Sequence, residues 1–274
     1  MRYEIDHDIH IHSHLSLCSN DPIQTKENIL AYAIRNNLKY ICLTDHFWDE
    51  NIPRANEFYE PQNFEHIKKA LPLPESDSVK FYFGCETEMD KNYRLGISEE
   101  RFDSFDFVII PTTHLHMMSF TIDEKDTSLE RRADLYVARL DRLLDMDIPF
   151  HKIGIAHLTC PLMAPNNKDD HLKVLDLIPD KVFKELFSKI AKKKAGFELN
   201  FSFFQYEGES LERVLRPYRI AKECNCKFYL GSDAHHPQGF DYAIKNFSAI
   251  IDALDLKESD KFKIKKVSPT HQLP

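Results

Sequence analysis

Residues 5–12 read IDHDIHIH, a stretch in which isoleucines alternate with ionisable side chains. Alternation with a period of two is typical of a β-strand, because successive side chains point to opposite faces. Asp6, Asp8, His10 and His12 are therefore expected to share one face, and the isoleucines to pack against helices on the other. Ionisable groups that face inward are costly when they are unpaired, so this strand predicts bound cations at its polar face.

Outward from this stretch, short apolar segments alternate with longer segments of helical period. Alternating strands and helices imply parallel strands joined by right-handed crossovers. The length of 274 residues suits an α/β barrel, and seven strand-like segments make it a distorted or incomplete one, expected to form a single domain over residues 1–274. The predicted strands are residues 5–12, 40–44, 80–86, 107–111, 152–157, 196–200 and 228–232. The predicted helices are residues 25–36, 127–145, 180–194, 210–224 and 242–254, and residues 51–74 are interpreted as an insertion over the barrel mouth.

The composition, with 42% hydrophobic and 29% charged residues, is that of an ordinary globular protein. A formal net charge of −8 gives no electrostatic footing for a long nucleic acid. No apolar run approaches the roughly 18–20 residues that a membrane span needs, and the first ten residues lack the apolar stretch of a secretory signal. Six cysteines without a CxxC pair are interpreted as reduced thiols of a cytoplasmic protein.

Nearly every predicted strand ends in residue types that bind metal ions. In (β/α) barrels the chemistry lies at the C-terminal ends of the strands. Each residue alone has a simpler explanation, such as a solvated strand face, an ion pair or a hydrogen-bonded core histidine. Seven strand ends that all carry such residues favour one shared metal site. In chain order they carry His10 and His12, Asp45 and His46, Glu86, His114 and His116, His157, Glu198 and Asn200, and Asp233 and His235.

The order of these residues resembles the motif pattern of the PHP superfamily, named for DNA polymerase and histidinol phosphatase domains. That pattern is an HxH strand, a TDH strand end, a GxE, two separate histidines and a terminal DxH. The match spans residues 8–236, and it implies a distorted (β/α)7 barrel, in agreement with the strands counted above. The matching residues are His10-Ile11-His12, Thr44-Asp45-His46, Gly84-Cys85-Glu86, His114, His157 and Asp233-Ala234-His235.

The resemblance also implies up to three divalent ions in one cluster, and the ligand types suit zinc, manganese or iron. Glu86 would bridge the first two ions. The implied ligands are His10, His12, Glu86 and Asp233 for the first ion, Glu86, His114 and His157 for the second, and His46 and His235 for the third.

The third ion site departs from the family pattern, because many PHP members have a further ligand, often a histidine, about six residues after the HxH. That position is Cys18 here, with Asp21 and His14 nearby. The third ion is therefore expected to use Cys18 or Asp21, to bind weakly, or to be absent. A lone thiolate is compatible with zinc, whereas a carboxylate suits manganese or iron better.

Further residues are expected to act around the ions. Asp8 is expected to orient a ligating imidazole by accepting its hydrogen bond. His116 is a candidate for contact with the phosphate and, on equal terms with a metal-bound water, for protonation of the leaving oxygen. Asp45 is the second candidate catalytic residue. Arg94 and Asn200 are candidate substrate-binding residues, although Asn200 is equally explained as an ordinary polar strand end.

Clustered divalent ions held by histidine and carboxylate suit the hydrolysis of a phosphate ester, because they make hydroxide available at neutral pH and neutralise the phosphate. The expected function is a metal-dependent phosphoesterase acting on a small phosphomonoester. Histidinol phosphate is the first substrate candidate, because PHP members of similar stand-alone length act on it. The alternatives are a nucleotide or short oligonucleotide substrate and a PHP module without turnover. The expected partner is a small phosphorylated molecule, with no membrane, no long nucleic acid and the oligomeric state left open.

Overall fold

The computed structural model of the chain describes residues 1–19 and 21–264, and in this part eight parallel β-strands form one sheet. The sheet order is β1-β2-β4-β5-β6-β7-β8, and β3 pairs only with the C-terminal end of β4. The seven strands of this main path correspond to the seven predicted strands, and β3 is an additional two-residue strand. The strands are β1 (His7–Ile11), β2 (Tyr40–Leu43), β3 (His46–Phe47), β4 (Lys80–Thr87), β5 (Phe107–Pro111), β6 (Ile153–Ala156), β7 (Gly196–Leu199) and β8 (Lys227–Leu230).

The sheet is nearly closed where β1 meets β8 and the segment that follows it. The amide of Asp233 donates to the carbonyl oxygen of His10 at 2.8 Å, and the amide of His12 donates to that of Ala234 at 3.1 Å. Nearer the start of the strands, side chains complete the seam, because His7 Nε2 accepts from the Leu230 amide at 3.1 Å. The predicted distorted (β/α)7 barrel is therefore confirmed.

Helices surround the sheet, and the five predicted helices are found within two residues of their predicted ends. Thr25 caps the first of them, since its side chain accepts a hydrogen bond from the Asn28 amide at 3.3 Å. The second and fourth helices were not predicted, because they are only four and eight residues long and too short to show a clear helical period. None of the described helices could cross a membrane. The helices are α1 (Lys26–Arg35), α2 (Phe64–Ile67), α3 (Leu129–Leu144), α4 (Asp170–Leu177), α5 (Asp180–Lys193), α6 (Gly208–Glu223) and α7 (Ala243–Ala253).

The barrel interior is filled by a cluster of buried side chains from six strands together with Phe262. This cluster includes Ile9, so the prediction that all isoleucines of β1 pack against helices is wrong. The pairing of β1 with β2 shifts register between Asp8 and Ile11, and this irregularity changes the strict alternation of faces. Asp8 consequently accepts a hydrogen bond from Tyr32 of α1 at 3.1 Å instead of facing the barrel mouth.

Asp6 also departs from the predicted polar face. It lies before β1, at the end of the barrel opposite the candidate site, where its Oδ1 is 2.7 Å from His7 Nδ1 and 3.0 Å from Lys261 Nζ. Of the four residues predicted to share the polar face, only His10 and His12 reach the C-terminal mouth. The polar face of β1 is thus divided between a metal-type site at one end and a buried ion pair at the other.

Candidate metal centre

Glu86, near the C-terminal end of β4, lies at the centre of the candidate site. Its Oε2 atom is 3.4 Å from His10 Nε2, 3.3 Å from His12 Nε2 and 3.1 Å from His46 Nδ1. Its Oε1 atom is 3.3 Å from His157 Nε2. The side chain is fully buried, and neither oxygen accepts a hydrogen bond from any described residue. A buried carboxylate in this state is costly, and cations placed between it and the rings would remove that cost.

The first implied ligand set converges as expected. Ligand atoms of His10, His12, Glu86 and Asp233 all lie within 4.8 Å of one another. The Oδ1 atom of Asp233 is 3.3 Å from His10 Nε2 and 3.1 Å from His12 Nε2, and it has no hydrogen-bond partner among the described residues. Ligand atoms that share one zinc ion are roughly 3–3.5 Å apart, since each bond is about 2.0–2.2 Å long. These four residues therefore fit a divalent ion.

The two histidines of the second set and the two of the third set also lie close together, although none of the described ligand groups joins Glu86 to both His114 and His157. His114 and His157 form one group with the sulfur of Cys160, and His12, His46 and His235 form another. His114 and His157 stack with their ring centroids 4.8 Å apart, and His12 and His235 stack at 4.1 Å. Two of the candidate ligands are held in the left-handed backbone region, His157 with φ +61° and Asp233 with φ +55°. Such conformations are strained for residues other than glycine and are concentrated at functional sites.

The ring nitrogen that faces away from the centre has a partner in each of five candidate ligands. Four of these partners are oxygens that accept from Nδ1–H, so those four rings present an unprotonated Nε2 to the centre, which is the form that binds metal. The fifth partner is the side-chain nitrogen of Asn200, which donates to His157 Nδ1. The Nδ1 partners are Glu198 Oε1 for His10, Ser16 Oγ at 2.9 Å for His12, Glu88 Oε2 at 2.9 Å for His114, the Asn200 side-chain amide at 3.0 Å for His157, and the Asp233 carbonyl oxygen at 2.8 Å for His235.

Arg139 of α3 supports one of these contacts from behind. Its guanidinium donates to Glu88 Oε1 at 3.1 Å and to the carbonyl oxygens of Met89 at 2.7 Å and Thr112 at 2.9 Å. Glu88 and Arg139 are both almost fully buried, so this ion pair fixes the carboxylate that orients His114. The sequence analysis missed both residues, although an arginine on the apolar face of a predicted helix is a signal for a buried partner.

Asp45 lies behind His12. Its carboxylate accepts hydrogen bonds from the Ser13 amide at 2.7 Å and from the Ser16 hydroxyl at 2.8 Å, and Ser16 in turn accepts from His12 Nδ1. Asp45 is only 1% exposed and does not line the cavity described below. The prediction that Asp8 orients a ligating ring is wrong, because Asp8 accepts a hydrogen bond from the Ser232 amide instead. Glu198 is the residue that contacts Nδ1 of the His10 ring.

Cys18 lines the cavity beside the third group, but no ligand group in residues 1–19 and 21–264 includes Cys18 or Asp21. Asp21 instead accepts a hydrogen bond from the Ile23 amide at 2.9 Å. His14 is exposed, and its ring lies 3.4 Å from the Gln24 carbonyl oxygen. The structure therefore groups His12 with His46 and His235 at the third position, and the assignment of Cys18 as a ligand stays a prediction.

The chain was compared with known proteins. A family model described as the PHP domain matches residues 8–202, well over half of the chain. The chain belongs to the PHP family. The terminal DxH motif lies beyond the matched residues, and the structure brings its Asp233 to the same centre as Glu86.

Solved structures similar to this PHP protein share its fold at low sequence identity. The histidinol phosphate phosphatase HISK from Lactococcus lactis subsp. lactis Il1403, complexed with Zn, L-histidinol and phosphate, is 19% identical with a TM-score of 0.62, over 94% of this chain and 98% of the other. The putative histidinol phosphatase hisK from Listeria monocytogenes is 14% identical with a TM-score of 0.61, over 88% and 99%. Comparison with curated proteins gives no significant match.

Six of the eight candidate ligands of this PHP chain, all except His10 and His12, line a cavity of about 490 Å³ at the barrel mouth. The remaining walls are uncharged side chains, and none of the described lysines or arginines lines the cavity. Phe58 and Tyr59 belong to residues 51–74, so the predicted insertion does lie over the mouth. These other walls are formed by Asn56, Phe58, Tyr59, His116, Met117, Cys160, Leu162 and Cys18.

The three other predicted substrate-site residues are placed differently. His116 lines the cavity, and burial together with the nearby His114 and His157 lowers its pKa to about 4, so the ring is neutral at neutral pH. Asn200 contacts the His157 ring and borders a neighbouring cavity. Arg94 lies at a separate cavity on the surface, where it donates to the Pro53 carbonyl oxygen at 3.2 Å, so the structure does not bring it to the site.

The carboxylates of the centre change the protonation of the rings around them. Burial alone would lower the pKa of His157, but Glu198, Glu86 and Asp233 outweigh it and raise this pKa to about 9. Burial would raise the pKa of Glu86, but His46 and His10 outweigh it and hold this pKa well below its usual range. Negative charge at the centre is thus balanced by protons on imidazoles, which a divalent cation would displace on binding.

Proposed function

We propose that this chain is a metal-dependent phosphoesterase that hydrolyses a small phosphomonoester with two or three zinc, manganese or iron ions at the barrel mouth. The observation that carries the proposal is a pair of carboxylates, the fully buried Glu86 and the partly buried Asp233, whose unpartnered oxygens share one centre with the ring nitrogens of four histidines. Divalent ions bound there would supply a deprotonated water nucleophile at neutral pH and neutralise the charge of the phosphate.

The chain's own residues divide into ligands and residues that position them. Glu198, Glu88 and the Asp45–Ser16 pair hold the rings of His10, His114 and His12, so Asp45 is proposed to position a ligand and not to touch substrate. The residues that would hold the ions are His10, His12, His46, Glu86, His114, His157, Asp233 and His235.

His116 is proposed to bind the substrate phosphate or the leaving oxygen. Its Nδ1 atom is buried without a hydrogen-bond partner, and the ring belongs to the cavity wall. Because its pKa is about 4, the protonated ring is scarce at neutral pH. The neutral imidazole is therefore suited to a hydrogen bond with the substrate more than to storage of a proton for the leaving group.

The cavity supports a small substrate. With no lysine or arginine of the described part in its walls, the phosphate charge has to be met by the ions, and a polynucleotide would find no basic surface along its backbone. Phe58 and Tyr59 offer aromatic surface to a flat leaving group. Histidinol phosphate, whose leaving group carries an imidazole, is the specific substrate proposed. A cytoplasmic location is proposed as well, and the six free cysteines support it.

The test is a screen of phosphomonoesters and dinucleotides with the purified protein, after removal of metal and addition of Mn²⁺ or Zn²⁺. We expect metal-dependent release of inorganic phosphate, fastest with histidinol phosphate. Turnover of other phosphomonoesters but not of histidinol phosphate would overturn the substrate assignment alone. A metal-loaded protein that hydrolyses no phosphate ester in the screen would overturn the proposed activity and favour a PHP module without turnover.

A further inference from the structure

We propose that Cys160 is a thiolate ligand of the second ion, beside His114, His157 and Glu86, and that it makes this position selective for zinc. The inference rests on the proposed metal centre and goes beyond it by naming an additional ligand and the metal preference that follows. The ligand sets implied by the sequence contain no thiol at this position.

The backbone brings Cys160 back toward the centre. His157 follows β6 in a left-handed conformation with φ +61°, and the Cys160 amide then donates to the His157 carbonyl oxygen at 3.0 Å. This turn places Cys160 on the cavity wall. Its sulfur, a ring nitrogen of His114 and a ring nitrogen of His157 all lie within 4.8 Å of one another. The three atoms are close enough for one cation to bind all of them after small side-chain adjustments.

A second observation points to a cation at the same place. Glu86 is fully buried, and its Oε1 atom, which has no hydrogen-bond partner among the described residues, faces His157 Nε2 at 3.3 Å. The group of atoms within 4.8 Å of one another does not include Glu86, so a small shift of this side chain toward His114 and the sulfur would bring four donors, the number that zinc binds in tetrahedral sites, around one ion. The cysteine is therefore not an isolated thiol but the fourth member of a set that is otherwise short of one ligand.

Burial and the carboxylates of Asp233, Glu198 and Glu86 raise the pKa of the Cys160 thiol to about 12, so the thiolate would form only when a cation binds. The Leu162 amide donates to Cys160 Sγ at 3.4 Å, and a backbone N–H group aimed at sulfur stabilises negative charge on it. On coordination the S–H bond breaks, its proton passes to solvent and a sulfur–metal bond forms, with no change of oxidation state. Thiolate is a soft ligand that favours zinc over manganese, so the preference among the candidate ions follows from this residue.

Cys18 provides a matched comparison. It also lines the cavity, but none of the described ligand groups contains its sulfur. The two cysteines therefore share exposure to the same cavity and differ in their distance from a histidine pair. The geometry therefore favours Cys160 as the thiol ligand of the second ion, whereas Cys18 stays a prediction for the third.

The experiment uses cobalt-substituted full-length protein and its near-ultraviolet absorption, where a sulfur-to-cobalt charge-transfer band reports thiolate ligation. We expect the band in the wild type and in Cys18→Ser, and its loss in Cys160→Ser. In parallel, the zinc affinity of Cys160→Ser should fall by about 10-fold or more while its manganese affinity changes little. Circular dichroism of each variant establishes that the barrel is folded.

Each contrary outcome has a definite meaning. A band that persists in Cys160→Ser, or that disappears in Cys18→Ser instead, overturns the assignment of Cys160. Because the wild type is also measured, a cobalt-loaded wild type without the band overturns it even if Cys160→Ser does not fold. Phosphatase turnover is assayed on the same samples, so a protein with the band but without turnover contradicts the proposed function and leaves the ligand in place. A wild type that binds neither zinc nor cobalt overturns both.

Discussion

Replacement of Glu86 by glutamine removes the carboxylate that faces four imidazoles while it keeps the shape of the side chain. If Glu86 bridges two ions, the variant should lose stabilisation by metal and should lose turnover. The metal-free proteins should unfold at similar temperatures, because the rings around Glu86 can release protons and still keep Asp233 and Glu198 as partners.

The expected size of the effect follows from binding linkage. Zinc at 100 times its dissociation constant stabilises the folded wild type by about 2.7 kcal/mol. A dissociation constant raised about 100-fold, the upper range for damage to residues that only orient ligands, leaves about 0.4 kcal/mol. For a chain of 274 residues with about 2.1 cal/mol/K of unfolding entropy per residue, the lost 2.3 kcal/mol or so corresponds to roughly 4 °C in Tm.

The assay is thermal unfolding by circular dichroism with and without zinc, together with phosphatase turnover. Glu209→Gln, at an exposed position in the first turn of α6, makes the same chemical change far from the cavity and serves as the control. The control should gain as much stability from zinc as the wild type. If Glu86→Gln also gains the full wild-type increment, or if it keeps normal turnover, Glu86 is not a bridging ligand.

Three further predictions concern residues near Glu86 or at the other end of the barrel. Glu198→Gln should weaken metal binding by about 10- to 100-fold, because a neutral amide holds the His10 ring less firmly than a carboxylate does. If a chelator competition gives an unchanged metal affinity, Glu198 does not orient His10 for metal binding. Gly231→Ala should also reduce metal affinity, since a Cβ atom there would collide with Glu198 Oε1 and lie 2.7 Å from His10 Cβ. An affinity equal to that of the wild type would show that β1 and the segment after β8 can separate enough to accept the methyl group. The Asp6 carboxylate has a pKa of about 2 because its hydrogen bonds and charge pairing with His7 and Lys261 outweigh burial. Its contribution to the free energy of unfolding, on the order of 2 kcal/mol, should be present above pH 3.8 and be lost as the pH falls toward 2. Denaturant titrations should therefore show the stability difference between the wild type and Asp6→Asn shrinking by about this amount over that pH range. A stability difference that stays constant with pH would contradict the prediction.

The strands and most of the candidate ligands could be predicted from the sequence, because both depend on local patterns of residues. A strand reveals its faces by alternation, and parallel strands place their C-terminal ends together, so His10, Glu86, His157 and Asp233 could be grouped before any coordinates. Alternation failed where β1 changes register, because an irregularity in strand pairing leaves no local mark in IDHDIHIH. Asp8 was assigned to the wrong face for this reason.

Residues that act through long-range contacts were beyond the reach of these patterns. Glu88, Arg139 and Ser16 orient rings from positions that only tertiary packing defines, although Arg139 stands out on a buried helix face. Arg94 was expected at the site because of its loop, yet the loop directs it to another cavity. The prediction of a single domain over residues 1–274 stays a prediction, since residues 265–274 lie outside the described part.

The central claim is that imidazoles and carboxylates from separate strands converge around shared cations. Anomalous diffraction at the zinc absorption edge, from crystals of the zinc-loaded protein, tests it most directly. We expect two or three peaks at the barrel mouth, one of them between Glu86, His10, His12 and Asp233. A folded, active protein with no peak beside Glu86 would contradict the claim.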